Sequence, residues 1–346
     1  MLLQVVEHMD LSVLDLVSMW NGETAGEAIR ESLEMARYVE RLGYTRYWFA
    51  EHHNAPWQAS SAPELLIAYA ASATTTIRVG SGGVMLPNHS ALKVAENFRT
   101  LEAMHPGRID LGIGRAPGTD GMTALALRRS RQALAVDDFP NQMEELLGFL
   151  SGSLPLDHPF RRIVPTPVTP TTPTIWMLGS SGYGAQFAAE HGLGMAFAHH
   201  ISRDMAVPAL QSYRRNFQPS PYLAAPRSIL ATSVFCADTD EQAEDVAALM
   251  DLFRQRLGRG AFTPPTIAEA HAYRRTMAER GVPSVARTHD LIGAVERVVP
   301  NLRALAEAAQ ADEIMVLTFA TDPIARRHSY DLLAEAFALQ PTLQPA

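Results

Sequence analysis

Three short stretches of this chain carry side chains able to move protons or hold an anion. The first, YWFAEHHNAPWQ, opens on the apolar run Tyr47, Trp48, Phe49. It then passes at once to a carboxylate, Glu51, and two imidazoles, His52 and His53. Imidazole titrates near neutrality, so a histidine at such a place can serve as acid or base. A second pair, His199 and His200, ends the apolar run GMAFAHH. In the third, LGSSGYGAQFA, Ser180, Ser181 and Gly182 precede a helical pattern. Small residues and free N–H groups at a helix start suit a phosphate, although serines there also act as ordinary N-caps. Arg115, after RIDLGIG, offers a fixed positive charge. A lone histidine more often bonds loop backbone than does chemistry. As a set, these residues point to the rim of an active site. Neighbours on an extended chain face opposite ways, so one histidine of each pair is expected to point inward.

Such residues need a frame that brings distant stretches together. Apolar strand-like runs alternate with helix-like segments along most of the chain. The predicted strands are LSVLDLV, YTRYWFA, IRVGSGGVML, RIDLGIG, TIWMLGS, LGMAFA, SILATSVFCA and DEIMVLT. They are continuous apolar runs, as expected of parallel strands buried on both faces. The first intervening helix opens with Thr24 and Glu27 at capping-box spacing. The last starts at Asp322-Pro323, an N-cap followed by proline. Eight such units predict an α/β fold, a (β/α)8 TIM barrel, with an open doubly wound sheet as the alternative. The alternation loosens after the fourth and seventh strands, which predicts insertions there. The stretch from about Gly258 to Thr288 reads as irregular, a candidate lid loop. LIGAVERVVPNLRALAEAAQA reads as broadly helical, with Pro300 as a kink or break. In a barrel the candidate residues all fall at the C-terminal ends of strands, where βα loops build active sites.

Composition narrows the function classes. The chain has 346 residues, 47% hydrophobic and 19% charged, with 37 acidic against 29 basic residues. That describes a globular protein with a large core and no basic surface for a nucleic acid. No run approaches a membrane span, and MLLQVVEHMD does not read as a signal peptide. The lone Cys236 cannot form an internal disulfide, which suits a reducing cytoplasm. No GxGxxG fingerprint follows a strand, so no nicotinamide site is expected. Histidines on separate strand ends can converge on zinc. However, the rim lacks the extra carboxylates of a barrel hydrolase, and no metal is expected.

Taken together in this order, YWFAEHHN, GSGGVMLPNHS, PGRIDLGIGRAPG and LGSSGYGAQFA resemble the bacterial luciferase-like flavin monooxygenases. The resemblance runs from Leu11 to about Phe337, which implies a single domain over 1–346. It implies a non-prolyl cis peptide between Gly82 and Gly83 behind the flavin, with both glycines in the cofactor site. It places Arg115 on the flavin phosphate, opposite Ser180, Ser181 and Gly182. It assigns His52 as the catalytic histidine and His200 as a further rim histidine. The family's acidic-serine phosphate motif is here Ser180-Ser181.

The implied activity is a monooxygenase using reduced FMN (FMNH2) and dioxygen through a flavin C4a-hydroperoxide. The implied partners are a separate NAD(P)H:flavin reductase, a small-molecule substrate and a second copy of the chain, with the helices after the first two strands as the dimer contact. The similar subgroup includes a luciferase-like epoxidase of aromatic polyketide biosynthesis. Epoxidation or hydroxylation of a bulky aromatic metabolite is therefore the specific expectation. An F420-dependent dehydrogenase, a non-catalytic flavin-binding protein and a metal hydrolase are the alternatives.

Overall fold

The computed structural model describes residues 9–20, 22–131, 138–259, 263, 265–286 and 291–342. Its strands are β1 Asp10–Asp15, β2 Arg46–Phe49, β3 Arg78–Ser81, β4 Val84–Met85, β5 Ile109–Gly114, β6 Thr174–Gly179, β7 Gly194–Ala198, β8 Ser228–Ala237, β9 Leu291–Ala294 and β10 Glu313–Leu317. The helices are α1 Ala25–Arg41, α2 Pro63–Ala73, α3 Ala91–Met104, α4 Gly121–Arg128, α5 Phe139–Ser151, α6 Gly182–His191, α7 Arg203–Asn216, α8 Glu244–Leu257, α9 Ile267–Glu279, α10 Val295–Ala309 and α11 Pro323–Ala336.

The strands run parallel in the order β10-β1-β2-β3-β5-β6-β7-β8, and β8 pairs back onto β10, so the sheet closes into a barrel. β3 and β4 together fill one position, since both pair with β5. The closed eight-stranded parallel barrel is the predicted fold. Each strand is buried on both faces: β2, for example, is buried at every residue. One core fills the barrel with Leu14, Trp48, Trp176, Ile229 and Met315. A second lies between barrel and helices. α1 begins with the expected capping box, in which the Thr24 backbone N–H donates to the Glu27 carboxylate at 2.8 Å.

The two ends of the barrel differ in chemistry. At the N-terminal end, buried Arg46 donates to Glu313 at 2.6 and 2.8 Å and to Asp110 at 2.7 Å. Trp48 adds a bond to Asp110 at 2.9 Å. Removing one partner from such a buried network would strand a charge, at a cost of about 3–5 kcal/mol. This end therefore locks strands β2, β5 and β10 together and leaves the C-terminal end to carry the site.

Three local expectations need correction. The predicted third strand is split into β3 and β4 at Gly82-Gly83, whose peptide bond is cis, as the resemblance implied. Leu291–Ala294 is a strand rather than helix. β8 is ten residues long and pairs with β10 only as far as Ser233, so β9 pairs with its overhang from Val234 to Ala237. α10 then runs on through Pro300 without a break. Finally, the stretch read as irregular contains α9, opened by a capping box between Thr266 and Glu269 and packed through Ala270 on Leu249 and Leu252 of α8. Residues 260–262, 264, 287 and 288 of that stretch lie outside the described residues.

Candidate active site

At the C-terminal end of the barrel lies a cleft of about 330 Å³. His52, Gly82, Arg115, Ser180, Ser181 and His200 all line it. Gly83 and Gly182, also predicted, do not line it. Gly83 instead packs against β5, where an added Cβ would stand 2.8 Å from the Gly112 carbonyl oxygen. Gly82 faces the cleft, and a Cβ there would meet Leu14 at 2.6 Å. Close approach of backbone thus requires glycine at Gly83, whereas at Gly82 the neighbour is the end of the Leu14 side chain, which can move.

The histidine pairs divide as alternation predicts. His52 enters the cleft, while His53 turns away to the Glu51 carboxylate at 2.8 Å. His200 enters it, while His199 is buried and pairs with the Thr232 hydroxyl at 2.8 Å. Burial lowers the pKa of His52, against a weaker opposing effect of Gln58 beside it. Burial likewise lowers His200, to about 4, although its Nδ1 lies 3.1 Å from the Ala231 carbonyl oxygen. Both imidazoles are therefore neutral at pH 7. The Nδ1 atom of His52 is buried and has no hydrogen-bond partner in the structure. The Gln58 amide nitrogen is likewise buried without a partner, and Gln58 is the side chain that acts on His52 through a hydrogen bond, so Gln58 is the group placed to complete this atom.

The opposite wall is an anion cradle. α6 starts at Gly182, and its N-cap Ser181 makes no side-chain capping bond. The ordinary capping role weighed for these serines is thus not used. The helix lies tight against β6, with a Cβ on Gly184 only 3.4 Å from the Gly179 Cα. The Arg115 guanidinium lies 4.3 Å from the Tyr183 ring centre, so its charge stands beside the same helix start. Among the described residues, the cleft lining contains no Asp or Glu. Tyr183 and Met85 are lining residues that the sequence reasoning missed. Tyr183 was within reach of it, since it directly follows the SSG stretch.

The residues fit a flavin phosphate and ring: an uncapped helix start with an arginine beside it, and a glycine wall facing apolar side chains. Glu51, His53 and His89 also gather outside the cleft. His89 Nε2 lies 2.7 Å from the same carboxylate oxygen that His53 reaches.

Comparisons with known proteins agree with this geometry. Residues 9–317 match the family described as luciferase-like monooxygenase. A luciferase-like monooxygenase of Escherichia coli (strain K12) is 42% identical over 323 residues, covering 93% of this chain and 95% of that one. The N-acetyl-S-alkylcysteine monooxygenase of Bacillus subtilis (strain 168) is 34% identical, covering 94% and 97%. The crystal structure of apo-MsnO8 superposes with a TM-score of 0.87 at 38% identity, covering 97% and 100%. This chain belongs to the luciferase-like monooxygenase family, and its class of activity is flavin-dependent monooxygenation.

Proposed function

We propose that the chain oxygenates a bulky, uncharged metabolite with reduced FMN and dioxygen. The observation that carries this reading is one cleft holding both an uncapped helix start beside Arg115 and two neutral imidazoles. Reduced FMN, when bound, supplies the activation of dioxygen. F420 does not suit that task, because a reduced deazaflavin transfers hydride and reacts poorly with oxygen.

Arg115 and the first N–H groups of α6 would hold the phosphate. Gly82 lets the chain approach the ring without a side chain between. Leu14, Leu16, Ala50 and Met177 exclude water from the cleft. His52, neutral near pH 7, puts an imidazole in the cleft to receive or hold a proton, with His200 as a second imidazole there. Above β1, β2 and β10, Trp57 packs edge-on against Phe253 at 5.1 Å and Trp20 against Phe319 at 6.5 Å. These rings do not line the cleft itself; an aromatic or polyketide-like substrate, epoxidised or hydroxylated, is proposed from the family resemblance and the largely apolar lining. A reducing cytoplasm suits buried Cys236, whose thiol burial pushes up to about 12.

Reduced flavin is expected to arrive from a separate reductase. The purified chain with NADH, FMN and oxygen should consume almost no NADH. Adding a flavin reductase and a polycyclic aromatic substrate should place one atom of labelled dioxygen in the product. Rapid NADH oxidation by the chain alone would count against a two-component enzyme. Label in water-derived positions only would count against monooxygenation.

We also infer a homodimer through α1 and α2. Leu65 and Tyr69, one turn apart on α2, are 69% and 47% exposed. An outward apolar stripe of that kind suits a partner helix. Light scattering at micromolar concentration should find a dimer, and Leu65→Glu with Tyr69→Glu should yield monomer. A monomeric parent would remove the contact.

A further inference from the structure

Glu51 is 1% exposed, yet it does not line the cleft that His52, the next residue, enters. All its hydrogen-bonding capacity goes to the surrounding loops. One carboxylate oxygen accepts from His53 Nε2 at 2.8 Å and His89 Nε2 at 2.7 Å, and the other accepts from the Met85 backbone N–H at 3.0 Å. These separations are hydrogen-bond lengths. Ligand atoms on a tetrahedral zinc, with bonds near 2.0–2.2 Å, stand about 3.3 Å apart. The cluster is therefore a hydrogen-bonded one.

It ties together loops that carry the cleft. His53 and His52 follow β2, and Met85 and His89 belong to β4 and the turn after it. The loop after β5 is fastened to both. Its Gly118 carbonyl accepts from the His53 N–H at 3.2 Å, and Asn88 donates to the Pro117 carbonyl at 2.8 Å. A Cβ on Gly118 would fall 2.8 Å from the Glu51 carbonyl oxygen. That loop begins with Arg115 and Ala116, which line the cleft with Met85 and His52.

We propose that Glu51 is a positioning residue: with His53 and His89 it forms a charged clamp that holds the loops after β2, β4 and β5, and so sets His52 and Arg115 against the cofactor. This rests on the flavin reading of the cleft.

A buried carboxylate needs a counter-charge. Among the described residues no lysine or arginine pairs with Glu51, and His89, whose pKa that carboxylate raises, is the group placed to supply it. The titratable groups facing the cluster are His53, His89, the adjacent His52, and Glu64 of α2 acting on His89. The Glu51 hydrogen bond raises His89 against its burial. Burial works to raise Glu51, but its bonds to His89 and His53 outweigh this and hold it low. The contribution of His89 is present below the ordinary imidazole value and lost as pH rises through its raised value. That of Glu51 is present above the ordinary carboxylate value and lost as pH falls through its lowered value. Between these limits the clamp is closed.

The test pairs two measurements on the full chain. Imidazole NMR of the flavin-free protein follows the His89 titration, and anaerobic fluorescence titration follows reduced-FMN affinity over the same pH series. In the parent, His89 should titrate above the ordinary imidazole range, and affinity should fall about tenfold as pH passes that midpoint. In Glu51→Gln, His89 should move down toward the ordinary range. Affinity at neutral pH should be about tenfold weaker, with the alkaline loss gone. His89→Gln keeps a donor near the Nε2 position without a titrating proton. It should bind at neutral pH as the parent does above the His89 midpoint, about tenfold more weakly, and also lose the alkaline limb. Comparing variant with parent at each pH cancels the cofactor's own ionisation. A His89 titration unmoved by Glu51→Gln overturns the clamp. If Glu51→Gln does not fold, an alkaline limb that persists in His89→Gln overturns it instead. A parent that binds no reduced FMN at any pH overturns the flavin reading and the positioning role with it, while the NMR series still reports whether the charged cluster exists.

Discussion

Replacing His52 with alanine is expected to leave reduced-FMN affinity within about threefold of the parent and to lower the rate of substrate oxygenation about 10²–10⁴-fold. The phosphate cradle is on other elements, Arg115 after β5 and the start of α6, so removing the imidazole should not disturb it. What is lost is a neutral imidazole in the cleft. Oxygen consumption should continue and end in hydrogen peroxide, so the ratio of peroxide to product is the measurement. The parent's coupling has a pH signature too. Burial lowers the His52 pKa, so the neutral form persists below the ordinary imidazole range. Coupling should hold down to pH values where a free imidazole is already protonated. Equal coupling in parent and variant would make His52 a packing residue of the rim, with His200 the imidazole to test next.

Replacing Arg115 with alanine is the complementary change. It should weaken reduced-FMN binding by about 1.5–3 kcal/mol, roughly 10–150-fold, the range of a charge-assisted hydrogen bond. At saturating cofactor the coupling ratio should stay near that of the parent, because the imidazoles are untouched. The guanidinium stacks on Tyr183, so part of the loss comes from a loosened Tyr183. Arg115→Lys separates the two effects: it keeps the charge but not the planar stacking, and should fall between parent and alanine. Riboflavin, which has no phosphate, should bind parent and Arg115→Ala almost equally. A variant that binds reduced FMN as tightly as the parent would remove Arg115 from the phosphate site.

The barrel was legible because its strands are apolar on both faces and are separated by capped helices, both local features. The same holds for the rim. Strand ends sit at the active face of a barrel, so Glu51-His52-His53, Arg115 and Ser180-Ser181 could be gathered without coordinates. Their division of labour came only from the family resemblance, which assigned His52 and His200, and not from the strand pattern. Alternation says that His52 and His53 part ways, but not which one enters the cleft. That choice depends on Glu51 and on His89, which is brought close only by the closed sheet. β9 was hidden for a similar reason. IGAVERVV has helical spacing, and only the overhang of β8 beyond Ser233 makes the preceding residues a strand. α9 differs, since its Thr266–Glu269 capping box was present in the sequence. Flanking prolines and threonines masked it.

The central claim is that this cleft is built for reduced FMN. The most direct measurement is anaerobic titration of the full chain with reduced FMN and, in parallel, with reduced F420, followed by fluorescence. The account predicts saturable, stoichiometric binding of reduced FMN that Arg115→Ala weakens, with far weaker binding of F420. Tight F420 binding with no response to reduced FMN would contradict it and point to hydride transfer on the same barrel.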